Sequence, residues 1–467
     1  SKITQGITTE VTGEGESIAP VNEAILKDWQ PTLDKYHLTV DWKTLDEYFR
    51  RLEREGSTIN LGTFVGATQI REYVLGHDDR APTSDELKRM KELVAQGMRE
   101  GALGLSTSLV YAPASYAKTE EIVELCKVAS EYGGVYATHI RNEGNRIFEA
   151  LGEAVAIAQE AHIPVEVWHL KVAGKPQWGK MGEVVKFFEE ARARGVDITA
   201  DQYPYFASAT GLSASLPQWA HEGGREKLLV RLQTPETRKR IRDEVLGSSN
   251  TQENFYRGAG GAEGILVASV NSPLLKQYEG KRLSEIARHR NKDAVETMFD
   301  LLVEDQAQVG AIYFSMSEED VKLAMKQPWV SVNTDYPEAA MDGPLAQSKV
   351  HPRSYGSFTR ILGHYVREEK VLTLEEAIRK MTSLPAQRVG LTGRGVLRPG
   401  MFADVVVFDA DRIADKATFE NPHQYSEGIK YVIVNGQIVL ENGKHSGKFP
   451  GRALRGPGYR GQERREN

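Results

Sequence analysis

One cysteine, Cys126, occurs in 467 residues. That excludes an internal disulfide framework and any zinc or iron–sulfur site built from several thiolates. It fits a reducing compartment such as the cytoplasm, with an exported form left open. Long apolar runs are also missing: none approaches the ~20 residues that span a bilayer, and no leader segment is recognisable. Charge of one sign is lacking as well. The 59 Lys+Arg and 65 Asp+Glu leave a net −6, and basic residues are mixed with acidic ones except in the last twenty. Nothing here marks a polyanion binder such as a nucleic-acid protein. What is present is 40% hydrophobic residues, enough for a full core in two or three domains, or in one large α/β domain with an appendage.

The interval 102–201 is the most regular. Apolar runs begin near Leu103, Val135, Val165 and Asp197, separated by helical patterns at Glu120–Tyr132, Ile147–Ala161 and Met181–Arg194. A strand–helix–strand period of about thirty residues is the βαβ unit, whose parallel strands are linked right-handedly. Gly6–Thr12, Thr58–Phe64 and Trp329–Thr334 read as further strands, giving seven in one parallel system. Ser84–Met98 and Thr373–Met381 read as helices; Ser84 is placed as the cap of the first, with no capping box because Leu87 follows three later. Phe206–Val309 breaks the period and contains a short strand at Ile265–Ala268. The end of the chain turns β-rich at Ala403–Phe408 and Tyr431–Leu440, with Asn435–Gly436 as a hairpin turn. The Gly/Arg/Glu-rich tail from Arg452 reads as surface-bound or mobile.

Polar groups gather at the C-terminal ends of these strands, where α/β enzymes place chemistry. One strand ends Thr138-His139-Ile140-Arg141 and the next Trp168-His169-Leu170-Lys171. Two histidines at one mouth suit zinc or a related ion. Asp335 closes another strand; it can cap a helix, bind metal, or move a proton between water and a leaving amine. Gly13-Glu14-Gly15 follows the first strand, and Glu14 can reach in as an oxygen ligand, even one bridging two ions. No Lys-Ser/Thr pair follows, which argues against a phosphate loop. Arg353, in His351-Pro352-Arg353-Ser354-Tyr355, can capture a carboxylate in bidentate fashion or hold its own loop. Lys171, Tyr203 and Arg141 are candidates for binding the acyl end or for outer contacts, and His351 joins them as a candidate substrate contact. Cys126 lies on an apolar helix face and reads as core.

Taken in order, several stretches resemble the N-acyl-D-amino-acid deacylases (D-aminoacylases) of the metal-dependent amidohydrolase superfamily. They are Gly6-Ile7-Thr8-Thr9-Glu10 with Gly13-Glu14-Gly15, Gly101-Ala102-Leu103-Gly104-Leu105-Ser106, Thr138-His139-Ile140-Arg141, His169-Leu170-Lys171, His351-Pro352-Arg353-Ser354-Tyr355-Gly356, Met381-Thr382-Ser383-Leu384-Pro385-Ala386 and Leu397-Arg398-Pro399-Gly400-Met401-Phe402-Ala403-Asp404. The resemblance implies an α/β fold: a (β/α)₈ TIM-type barrel with a small β-sandwich and an inserted lid-like subdomain. On that reading 1–205 is the first visible part of the barrel, 206–310 the insertion, 311–395 the last part of the barrel, 396–450 the C-terminal part of the small β-domain and 451–467 a tail. By position His139, His169 and Asp335 match metal ligands, and Glu14 falls where many relatives carry a metal-binding cysteine. An early His-x-His pair expected on the first barrel strand is missing, since no two histidines here are two positions apart. A missing N-terminal segment of the same polypeptide is therefore expected to carry it.

The implied reaction is hydrolysis of an N-acyl-D-amino acid to a carboxylate and a free D-amino acid, with one or two divalent ions, most simply zinc. Asp335 is expected to relay the proton, and Arg353 or Arg141 to orient the α-carboxylate. A dipeptidase, another small linear or cyclic amide hydrolase, and a metal-free scaffold stay open, as does a homo-oligomer.

Overall fold

The computed structural model describes residues 1–248, 252–337 and 339–461. Its centre is a curved layer of parallel strands: β1 (Thr9–Thr12), β2 (Asn60–Thr63), β3 (Val65–Gly66), β4 (Gly104–Ser108), β5 (Val135–His139), β6 (Val165–Val167) and β7 (Ile198–Gln202). In the next stretch come β8 (Ser208–Gly211), β9 (Ile265–Ser269) and β10 (Gly310–Tyr313), then β11 (Val330–Val332), which returns to the layer. β2 breaks at Phe64 and resumes as β3, so one extended run pairs with β1 through its first half and with β4 through its second. Counting that run once, the order β1, β2/β3, β4, β5, β6, β7, β11 makes seven parallel strands. β1 and β11 are the two edges. Between them lies a cavity of about 1040 Å³ lined by residues of both, and by Trp168, Glu166 and Asp201 from the barrel interior. Lys2 spans the gap at the mouth, pairing with Glu10 at 3.0 Å and donating to Thr334 Oγ1 at 2.6 Å.

The helices cover the outside because each presents one apolar face. Ile147–Ala161 buries Ala150, Leu151, Ala154, Val155, Ile157 and Ala158, the i, i+3/i+4 stripe of an amphipathic helix. Cys126 is fully buried in the Thr119–Glu131 helix, as a core residue. The helix expected at Ser84 is capped one residue earlier. Thr83 accepts from Glu86 N–H and Glu86 returns to Thr83 N–H, a full capping box that a start at Ser84 hides.

The expected single strand of the insertion belongs to a three-stranded antiparallel sheet, in the order β8–β10–β9. This sheet and its helices have their own core, including Leu232, Ile241, Ile265, Phe299 and Leu302. His221, in the same region, donates Nε2–H to Ser213 O at 3.2 Å, and burial lowers its pKa to about 4. A histidine held neutral in the fold costs nothing above about pH 6.5. As pH falls from there toward 4 the unfolded chain takes up a proton first, and stability drops by roughly 3 kcal/mol at most. His221→Gln should flatten this part of the thermal-stability profile between pH 7 and 4.5; an unchanged slope contradicts the assignment.

At the end of the chain β12 (Val405–Phe408), β13 (Ile429–Val434), β14 (Gln437–Glu441) and β15 (Lys444–His445) form an antiparallel sheet in that order. Asn435 and Gly436 both have positive φ, 48° and 80°, as a type I′ hairpin requires. The start of the tail is surface-bound: Leu454 N–H donates to Leu61 O at 2.7 Å and Gly456 N–H to Gly101 O at 2.8 Å, tying it alongside β2. Residues 462–467 lie outside the described residues. Among the described residues no helix is long and apolar enough to cross a membrane.

Candidate metal centre and active site

Gly13-Glu14-Gly15 leaves β1 in a turn that only glycine accommodates. Gly13 and Gly15 have φ of 94° and 69°, and a Cβ on either would lie under 3 Å from Phe64 O or Ser108 Oγ respectively. Ser106 on β4 grips the turn, accepting from Gly15 N–H at 3.1 Å and donating to Gly13 O. Gly15 O in turn accepts from Thr68 N–H at 3.0 Å, at the start of the Ala67–Leu75 helix. The result aims Glu14 inward. Gly66 must be glycine for the same reason, because its Cβ would sit 2.0 Å from Gly15 O. Gly66→Ala is therefore expected to displace the Glu14 turn and to destabilise the protein by about 1–3 kcal/mol. Calorimetry together with bound-metal content checks this; wild-type values for both contradict the stated role of the turn.

His139 is the last residue of β5, and His169 lies two beyond the end of β6. Both meet Glu14: Oε1 lies 3.1 Å from His139 Nδ1 and 3.1 Å from His169 Nε2. The three ligand atoms all fall within 4.8 Å of one another. His169 adopts φ 38° and Asp335 φ 43°, a left-handed backbone that non-glycine residues adopt rarely and that clusters at functional sites. His169 N–H donates to the Asp201 carboxylate, which also accepts from Asn333 Nδ2 at 2.7 Å. Burial and Glu166 push Asp201 up to about 8.

Glu14 would be raised by burial, but the His169 and His139 imidazoles outweigh that and hold it well below the usual carboxylate range. Burial and the Lys171 ammonium lower His169, while Asp335, Glu14 and Glu143 raise it, to about 10 overall. The carboxylates of Glu14, Glu143 and Asp335 thus favour positive charge on these imidazoles, which a bound cation would supply in place of a proton. The donor set fits a divalent transition ion, since nitrogen and carboxylate oxygen are zinc's usual partners and three protein ligands leave a position open.

The cavity above this trio has a volume of about 430 Å³. Asp335, Lys171, Tyr203 and Arg353 line it, together with Ser208, Ala209, Thr210 and Phe255 from beyond the barrel strands. Asp335 Oδ2 sits 2.6 Å from Arg353 Nη1, and its charge also raises His169. Two expectations need correction. Arg141 does not line the cavity, because its long side chain reaches the next helix. It makes a forked pair with Glu153 at 2.8 and 2.9 Å and donates to Ser115 O and Ala117 O. His351 is fully buried behind the cavity, with Nε2 on Ala207 O at 2.9 Å and Nδ1 accepting Arg353 N–H at 3.0 Å. It fixes Arg353 without reaching the cavity.

Arg353 is itself buried, its guanidinium 4.4 Å from the Tyr203 ring centroid, with Nη2 donating to Ala209 O at 3.2 Å. Its Nε has no hydrogen-bond acceptor, and its Nη1 meets only Asp335, in the ion pair at 2.6 Å. Burial opposes its charge, and Asp335 with Tyr203 restores it. Two residues escaped the sequence reading. Glu143 lines the cavity and is 3% exposed, paired with Lys171 Nζ at 2.5 Å. Burial would raise it, yet Lys171, His139 and His169 hold it well below the usual carboxylate range. Tyr111 packs edge-on against His139, ring centroids 5.1 Å apart. A second His/Glu group, Glu318, His364 and Glu369, is half-exposed and already ion-paired or hydrogen-bonded through Tyr365, Glu368 and Lys322.

Residues 39–440 match the amidohydrolase family. A D-aminoacylase of Alcaligenes xylosoxydans xylosoxydans is 36% identical over 454 residues, covering 97% of this chain and 82% of that protein. The chain belongs to the D-aminoacylase family of amidohydrolases. A solved D-aminoacylase, whose binuclear metal centre is described by one-metal activation and second-metal attenuation, superposes with a TM-score of 0.78 at 33% identity, over 97% of this chain and 84% of that one. A solved N-acyl-D-glutamate deacylase from Bordetella bronchiseptica, complexed with zinc and a phosphonate mimic of the tetrahedral intermediate, gives 0.77 at 32% identity over the same shares. The amidohydrolase fold of these relatives, a TIM barrel with a β-sandwich, is the architecture of this chain. Its chemistry is metal-dependent amide hydrolysis.

Proposed function

We propose that this amidohydrolase cleaves N-acyl-D-amino acids to a carboxylate and a free D-amino acid. The carrying observation is Arg353: a buried guanidinium with a free Nε–H, ion-paired to Asp335 in the same cavity as Glu14, His139 and His169. A substrate with a free α-carboxylate next to its scissile amide needs a cation at that place. The D-configuration rests on the relatives, an aminoacylase and deacylases for D-amino-acid derivatives.

Glu14, His139 and His169 would hold one ion, most simply zinc, which when bound supplies Lewis acidity toward water and the amide carbonyl. Arg353 draws in the α-carboxylate with its buried charge and its free Nε–H, and so fixes the amide relative to Asp335. Asp335 accepts the proton of the attacking water and returns it to the leaving nitrogen. Tyr203 backs the guanidinium, and Lys171 keeps Glu143 ionised. Ser208–Thr210 and Phe255 close the cavity from the side of the insertion and help exclude bulk water.

The test compares kcat/KM for an N-acyl-D-amino acid, its L-enantiomer and the matching amide without the carboxylate, in wild type and Arg353→Lys. Wild type should favour the D-acid. The lysine keeps charge but loses the planar fork, and should lower kcat/KM for the D-acid at least about tenfold while barely changing the decarboxylated amide. Equal losses on both amides, or preference for the L-acid, contradict the reading.

A further inference from the structure

Each ligand histidine has a second ring nitrogen, and both of these face one residue. His169 Nδ1 lies 3.1 Å from Glu143 Oε1, and His139 Nε2 lies 3.6 Å from Glu143 Oε2. The rings are nearly perpendicular, at 76°, with centroids 4.4 Å apart. The Glu14 side uses opposite nitrogens, Nδ1 of His139 and Nε2 of His169. Binding an ion through that pair requires the proton on the other nitrogen of each ring, Nε2 of His139 and Nδ1 of His169, so that Lys171 Nζ, now 2.7 Å from His169 Nδ1, is left to donate to Glu143 alone. The two protons then face the two oxygens of a single buried carboxylate, at 3.1 Å for His169 and at 3.6 Å, longer than a hydrogen bond, for His139. His139 Nε2 has no other partner among the described residues.

We propose that Glu143 is the positioning residue of the metal centre, one carboxylate that sets the tautomer and ring orientation of both histidines, and that the insertion holds it in place. This rests on the reading that Glu14, His139 and His169 bind the ion. Glu143 is anchored from every side. Lys171 Nζ donates to its Oε1 at 2.5 Å. Its carbonyl accepts from Ala173 N–H at 2.8 Å, in the loop after β6. Its own N–H donates to Glu253 Oε2 at 2.6 Å, and Glu253 belongs to the insertion. Asn142 Oδ1 locks the turn by accepting from Gly144 N–H at 3.0 Å and Arg146 N–H at 2.9 Å. Because Oε1 has two lone pairs, it can accept from Lys171 and from His169 Nδ1–H together, while Oε2 is left for His139. A glutamine cannot reproduce this, since one of its two termini is a donor. The docking of the insertion is thereby transmitted to the metal ligands through one backbone hydrogen bond.

The experiment measures the zinc dissociation constant of the full chain by chelator competition, for wild type, Glu143→Gln and Glu143→Asp. In parallel, ¹⁵N-histidine NMR of the zinc-loaded proteins follows the imidazole N–H protons. Zinc affinity is expected to fall 10–100-fold in Glu143→Gln, with loss of two exchange-protected imidazole N–H signals present in wild type. Turnover lost at low zinc should return as zinc is raised, which a collapsed structure would not permit. Glu143→Asp keeps the charge but not the reach, and should lose affinity by a smaller factor; it carries the test if the glutamine variant does not fold. Affinities within threefold of wild type, with both N–H signals kept, overturn the proposal while leaving the metal site intact. Failure of wild type to bind zinc stoichiometrically overturns the underlying site instead.

Discussion

Asp335→Asn should lower kcat by about 10²–10⁴-fold, the range for loss of a general acid–base group, while zinc content and thermal stability stay near those of wild type. The amide keeps the volume and the left-handed backbone tolerance of asparagine at φ 43°, but it cannot accept and return a proton. Glu14, His139 and His169 converge without it, so removing its charge leaves those three ligands in place. The ion pair with Arg353 is lost, so KM is expected to change too, by far less than kcat. A near-normal kcat would contradict the proton relay. Loss of zinc in this variant would instead return Asp335 to the ligand set.

The second large effect concerns Glu14. Its Oε1 is the point at which both histidines meet, so Glu14→Gln removes the charge that draws a cation between two imidazoles. Zinc affinity should fall by more than the ~10–100-fold that loss of an outer partner costs, and turnover at equimolar zinc should fall to background. Glu14→Cys is the informative counterpart. A thiolate is a good zinc ligand, so this variant should keep zinc. Titration with a chromogenic chelator separates the two. Equal retention by both variants would show that Glu14 does not touch the ion.

Much of this architecture is legible in the amino-acid sequence. The thirty-residue spacing of apolar runs places β4–β7 because a buried parallel strand reads as a short hydrophobic run between amphipathic helices. His139 and His169 stand out because strand ends at one edge of a parallel sheet share a mouth. Other features depend on distance in space. Arg141 and Glu143 both follow β5 within four residues, yet the first turns back to Glu153 and the second turns inward to Lys171. Nothing local distinguishes them, and only the packing of the next helix and the insertion decides. β8 and β10 escape the sequence pattern for a related reason: each has four residues, and they pair across about a hundred positions. The capping box at Thr83 is hidden by an apparent start one residue later. The positive φ of His169 and Asp335 leaves no sequence trace, because neither is glycine.

In the proposed function Glu14, His139 and His169 hold a catalytic divalent ion. Anomalous diffraction at the zinc absorption edge, on crystals of the full chain grown with equimolar zinc, locates it. A strong peak is expected within bonding distance of Glu14, His139 Nδ1 and His169 Nε2. No peak at that trio, or a peak only at Glu318, His364 and Glu369, would contradict it.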